Sequence, residues 1–302
     1  MLVAALLNAT ASVLQRYATK AEPASAGFSW RMFTDLARRP VWFLGISTMI
    51  VGFLLHAVSI SVSRIALVQP LLVTELPFTL LLASWVFGGR LPARDRWAIG
   101  LQSVGLAAFI ATLAPSGGDA ARVSLGAWAL GIGVSAAAIA VLVVLGYRGK
   151  REHRAALLGI ATGATFGLNS ALIAGVGAAV ARGGELLTTW QTYGVAVLGP
   201  ISFFLLQNAL QAGQLVASQP GFTLMNPLVS VVWGLAVFGE QGRGGWFVIG
   251  SVAGALCIVA GTILLARSDL LDPDATTGEG PATGRGSAER KGRTRRTGRK
   301  AT

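Results

Sequence analysis

Nine apolar stretches, each about twenty residues long, leave this chain little choice of environment. They fall at about 2–19, 41–61, 65–88, 96–114, 124–146, 155–181, 192–214, 217–239 and 244–266. A helix crossing the hydrocarbon core of a bilayer needs ~20 mostly apolar residues. Only 13% of residues are charged and 53% are hydrophobic, whereas a soluble domain carries about 25% charge. One water-facing globule could not hide so many apolar side chains. The expected fold is therefore an all-α polytopic membrane protein of about nine transmembrane helices. The first stretch contains ALLNATAS, which resembles a signal-peptide cleavage site. It lacks a basic leading region and resembles a later stretch, so it is read as a helix.

Basic residues orient these helices. One side holds Lys20, Arg31, Arg38, Arg39, Arg90, Arg94, Arg96, Arg148, Lys150, Arg151, Arg154 and nine tail residues from Arg267 onward. The other side holds Arg64, Arg122, Arg182 and Arg243. The split is twenty to four, and still eleven to four without the tail. It places the C-terminal tail in the cytoplasm and the N-terminus outside, with the plasma membrane as the expected location. Residues 268–302 lose apolar periodicity and read as a disordered basic tail. Its end, RKGRTRRTGRK, suits anionic lipid headgroups. The net charge of +12 is concentrated there, with no interleaved aromatics, so no nucleic acid partner is expected. Segment 27–39 reads either as an amphipathic helix on the inner surface or as a loop.

The chain also repeats itself. Gln69-Pro70 and Gln219-Pro220 are 150 residues apart, as are Pro77 and Pro227, and as are Ile99-Gly100 and Ile249-Gly250. GFLLHA at 52–57 resembles FFLLQNA at 203–209, which sets His56 opposite Gln207. Spans 1–4 (about 2–114) thus correspond to spans 6–9 (about 155–266), with span 5 (124–146) as a linker helix. Corresponding spans differ by five crossings, an odd number, so the two four-helix repeats are inverted. Inverted repeats around a midplane site are a common architecture of secondary transporters.

The stretches PVWFLG at 40–45, ALVQPLLVTELPF…FGGRL at 66–91 and QPGFTLMNPLVSVVWGLAVFGE at 219–240 resemble the drug/metabolite transporter superfamily. The similarity is greatest to its EamA-like and nine-span magnesium-transporter-like branch and covers roughly residues 2–266. It implies export of small metabolites or drug-like compounds. The second repeat has the family's Gly-Glu turn at Gly239-Glu240, where the first has Gly88-Gly89.

Of the 13 acidic residues, Glu75 alone lies deep in a span. It is 11 residues beyond Arg64 and 15 before Arg90, which at about 1.5 Å per residue is near mid-membrane. A charge there costs at least ~2.5–3.5 kcal/mol on insertion scales, so Glu75 should face the bundle interior or a wet cavity. It is read as a proton- or cation-binding carboxylate, or else as a protonated structural glutamate. Pro70 and Pro77 free the carbonyls of Ala66 and Val73, and Pro220 and Pro227 repeat the spacing. All four are candidate hinges or static kinks. His56 lies inside span 2, as a packing residue or a proton partner for Glu75. Arg16 either attracts an anionic group or snorkels to the headgroups. Gln69, Gln207, Asn208, Asn169 and Asn226 are span amides that bind a polar ligand or bridge helices.

No catalytic constellation, phosphate-binding loop or metal-ligand cluster stands out, so no enzymatic activity, cofactor or metal is expected. The leading expectation is a secondary transporter of a small organic solute, an exporter by resemblance, working by alternating access with proton or cation coupling. A magnesium or divalent-cation transporter is one alternative, and a non-transporting scaffold or regulatory subunit another. The expected partners are the solute or ion and the lipid bilayer, with a homodimer left open.

Overall fold

A computed structural model describes residues 1–20, 40–88, 91–149, 151–212 and 215–268. The described chain is almost wholly helical. In order it forms α1 (Leu2–Lys20), α2 (Pro40–Val62), α3 (Ile65–Val68), a 3-10 stretch (Gln69–Thr74), α4 (Glu75–Val86) and α5 (Ala93–Leu113). Then come α6 (Leu125–Arg148), α7 (Arg151–Ala181), α8 (Trp190–Gln211), α9 (Leu215–Ala236) and α10 (Trp246–Ala266). Two short strands, β1 (Ser116–Gly117) and β2 (Glu240–Gln241), pair antiparallel.

Seven helical segments among the described residues are long and apolar enough to cross a membrane. They expose large apolar side chains such as Phe53, Trp85, Phe204 and Leu256, as lipid-facing surfaces do. The chain is an all-α polytopic membrane protein. The other two expected spans are also helical: α1, whose apolar part is Leu2–Gln15, and α9. The expectations for segment 27–39 and for the tail beyond Ser268 lie outside the described residues.

The third span is built from three pieces, and proline chemistry explains why. Pro70 opens the 3-10 stretch, at its N1/N2 position, where a missing N–H costs least. Pro77 sits in the first turn of α4. It leaves the carbonyl of Val73, four residues earlier, without its helical partner. Gln102 of α5 supplies one: its Nε2 donates to Val73 O at 3.0 Å and to Thr262 Oγ1 of α10 at 3.1 Å. Gln102 is wholly buried. Gln102→Leu should therefore lower stability by about 1–3 kcal/mol, the usual cost of stranding a buried acceptor. A melting temperature equal to that of the parent protein would show that Val73 O finds another partner.

Pro220 and Pro227 behave differently from their counterparts. Both lie inside one continuous α-helix, α9. The backbone of α9 is pressed along α7, which holds it in a single helical course. The stripe responsible is Gly159, Gly163 and Gly167, spaced four apart on α7. A Cβ added at these positions would lie 2.4 Å from Ser218 O, 2.7 Å from Phe222 O and 2.9 Å from Asn226 O, respectively. Gly105, Gly254 and Gly261 perform the same service between α5 and α10. Small residues let helices approach where lipid offers no hydrophobic drive for association.

Each half of the chain shows the same neighbour relations. Helix α1 packs on α2 and α4; α7 packs on α8 and α9. The two fourth helices, α5 and α10, pack on each other, and α3 with its 3-10 stretch packs on α9. Helix α6 lies against α7 and buries little of its own surface. Trp128, Trp190, Trp233 and Phe238 stack near one end of the bundle.

Candidate functional site

A cavity of about 500 Å³ lies where α1, α2 and α4 of the first half meet α7, α8 and α9 of the second. Glu75 enters it from the first turn of α4, just after the 3-10 stretch. His56 of α2, Asn169 and Ser170 of α7, and Gln219 and Asn226 of α9 line the same space. A second cavity of about 250 Å³ involves Asn8, Ser12, Gln15, Met49, His56 and Glu75, and five of its residues also line the first. The apolar part of the wall includes Phe53, Phe166 and Phe222.

The polar partners in this region are specific. Asn8 and Glu75 line both cavities together, with the Asn8 side chain beside the Glu75 carboxyl. A Cβ added at Gly52 would lie 2.4 Å from Asn8 Oδ1, so Gly52 leaves the room that Asn8 occupies. Gln69 is completely buried and sets its Nε2 3.4 Å from His56 Nε2. An amide nitrogen only donates, so with the Gln69 amide in this orientation His56 Nε2 is the acceptor. Turning the Gln69 amide over would present its buried oxygen, which lacks a partner, to an Nε2–H instead. Asn169 Oδ1 and Asn226 Oδ1 are likewise buried without partners. Among the described residues, no Lys or Arg lines the cavity. The space can thus hold a proton or a cation at Glu75 and hydrogen-bond donors at several amide oxygens.

Glu75, His56, Asn169 and Asn226 are thus brought together, with Gln69 directly behind His56. Gln207 and Asn208 are not among the lining residues. Leu206 lines the cavity from α8, and the next two residues are carried about 100° and 200° around the helix. Asn208 Nδ2 donates to Phe204 O, and its Oδ1 accepts from the Tyr147 hydroxyl. It bridges α8 to α6. None of Pro70, Pro77, Pro220 and Pro227 lines the cavity. The side chain of Arg16 lies outside the described residues. Sequence reasoning did not single out Asn8, Ser12, Thr79 or Thr223. Asn8 carried a usable signal, an amide inside an apolar run. The wall phenylalanines carried none.

The end of the bundle near Arg64 holds a different arrangement. Glu240 Oε1 accepts from the Ile65 N–H at 2.9 Å, and Oε2 accepts from the Ala66 N–H at 3.1 Å. Burial pushes the Glu240 carboxyl above the ordinary glutamate value, and the Ala66 and Ile65 N–H groups and the Arg64 charge pull the other way. The direction means that acidification favours this arrangement over one with Glu240 in water. Nearby, Asp119 pairs with Arg182 and Arg122.

No family model matches the chain, and no solved structure matches it. An uncharacterized protein of Corynebacterium glutamicum is 28% identical over 235 residues, which cover 77% of this chain and 81% of that protein.

Proposed function

We propose that this chain is a secondary transporter of a small organic solute, and that it works by alternating access with coupling to a proton or another cation. In this reading nine helices cross the membrane as two inverted four-helix repeats joined by α6. The plasma membrane is the location, with the N-terminus outside and the tail cytoplasmic, and export is the direction. The observation that carries the reading is the central cavity, walled by three helices from each half and lined by the Glu75 carboxyl. The packing supports the repeat: a two-fold relation brings equivalent helices together, and α5 meets α10 as α3 meets α9. A lone intramembrane carboxyl facing a cavity is the usual mark of an ion or proton path. The cavity offers a doubly charged ion one carboxyl, so an organic solute is ranked ahead of magnesium.

The test uses the full chain in detergent and in proteoliposomes, screened against amino acids, organic amines and sugars. A bound solute at 100 times its Kd should stabilise the protein by about 2.7 kcal/mol. Thr223→Trp fills part of the cavity and should abolish both that shift and counterflow of the same solute. Undiminished counterflow in a correctly folded Thr223→Trp protein would rule out this cavity as the transport site.

A further inference from the structure

At the Arg64 end of the bundle the central cavity is bounded by buried apolar side chains. On that side lies a second space of about 310 Å³, whose lining includes Arg64, Gly118, Asp119, Phe238 and Glu240. The two spaces adjoin along α7, where Ile173 lines the central cavity and Ala174 the other. Ile60, Ile65, Val68 and Phe238 form a buried apolar plug at this end. Toward the opposite end the lining continues through Thr79 and Gln219, and through Gln15 and Met49 of the adjoining cavity.

The plug is held across the two halves of the chain. Helix α3 begins without a side-chain cap of its own, so the N–H groups of Ile65 and Ala66 need acceptors from elsewhere. Both residues are essentially inaccessible to water. Glu240, which follows α9 in the other half, gives one carboxylate oxygen to each. It is itself only 6% exposed. The notch it occupies is shaped by glycine: a Cβ at Gly234 would lie 2.7 Å from Glu240 Oε2, and one at Gly118 would lie 2.5 Å from its Cγ. Gly118 also has φ +75°, which suits glycine. The β1–β2 pair, the Asp119 N–H bond to Phe238 O and the Arg64 Nε–H bond to Gly117 O tie the same loops together. At the corresponding turn of the first half the sequence reads Gly88-Gly89, with no carboxylate.

We infer that Glu240 is a one-sided latch, a positioning residue that keeps the central cavity closed at the Arg64 end by capping the start of α3. Opening at that end requires α3 to leave Glu240, and water then satisfies the released N–H groups. Removing the carboxylate strands two buried donors in the closed arrangement and leaves the open one untouched, which shifts the balance toward opening. The latch's role in a cycle rests on the alternating-access reading. Its existence does not, and it can be tested without any solute.

The reporter is Ser170→Cys in the cavity, in a Cys257→Ala background, labelled in vesicles by a membrane-impermeant maleimide added to either face. With Glu240 present, labelling should occur only from the face opposite Glu240. Glu240→Ala should speed labelling from the Glu240 face about tenfold or more, the scale set by losing a buried donor's partner. Gly234→Ala, which crowds the carboxylate without removing its charge, should act in the same direction. A Glu240→Ala protein that labels normally from the opposite face and no faster from the Glu240 face overturns the latch. If that variant does not fold, hydrogen exchange on the unsubstituted chain decides. The Ile65 and Ala66 amides should be strongly protected, and exchange as fast as in an exposed loop overturns the proposal.

Discussion

Glu75→Gln should leave a folded protein that no longer accumulates solute against its gradient. Glutamine keeps the shape of the side chain and retains an oxygen and a nitrogen for the Asn8 amide that now contacts Glu75. The change should therefore cost less than about 1.5 kcal/mol of stability, as shape-conserving exchanges do. What it removes is the capacity to gain and lose a proton or to neutralise a cation. Driven uptake in proteoliposomes should fall to background under a proton or cation gradient, while downhill exchange of the same solute persists. If the solute itself carries the positive charge, its binding should also weaken about tenfold to a hundredfold, because a hydrogen bond to a charged group contributes about 1.5–3 kcal/mol. Two results would contradict the assignment. Full gradient-driven accumulation by Glu75→Gln would make Glu75 a structural residue held by Asn8. A strongly destabilised variant with residual coupling would say the same.

The reason Glu75 could be found from sequence alone is that its signal is local. A carboxylate between two prolines in an uncharged run is anomalous whatever surrounds it, and the cavity into which it projects is where such a residue can exist. Pro77 is legible for the same reason: the rule that it orphans the Val73 carbonyl needs only the residue numbering. The partner that answers it, Gln102, is 29 residues away and on another helix, and nothing local marks it out. Glu240 and the start of α3 are further apart still, donor and acceptor being 174 or 175 positions apart in the chain. Such pairings are decided by how the helices stack. Helical phase explains another gap. The repeat alignment sets His56 opposite Gln207, yet Leu206 is the residue α8 turns to the cavity. The prolines of α9 show the limit of repeat reasoning: the same spacing produces a 3-10 interruption in one half and an unbroken helix in the other. The difference lies in the neighbouring helix: the four-residue spacing of Gly159, Gly163 and Gly167 is legible in the sequence, but not that α9 is the helix it receives.

That glycine stripe carries the largest expected effect on stability. Gly163→Leu should prevent α7 and α9 from packing and leave little folded protein. The reason is geometric. Even a methyl group at Gly163 would lie 2.7 Å from Phe222 O, 2.7 Å from Met225 Cβ and 2.9 Å from Phe222 Cα. Two of these are backbone atoms of a helix, and they cannot turn aside as the end of a flexible side chain can. The helices must separate, and α7 is the most buried candidate span of the molecule, so the disturbance spreads to α8 and α6, which also pack on it. Overpacking usually costs about 1–3 kcal/mol; here the obstacle is backbone, and a loss of about 3 kcal/mol or more is expected. Gly163→Ala should fall part-way. Gly199 of α8 provides the control, since a Cβ added there meets nothing within 4 Å; Gly199→Leu should melt close to the parent protein in detergent. The same displacement would pull Phe222 and Asn226 away from Phe166 and Asn169, the two sides of the cavity wall, so a partly folded Gly163→Ala protein should also lose solute-induced stabilisation. If Gly163→Leu and Gly199→Leu melt alike, the close approach of α7 and α9 is not what holds the cavity together.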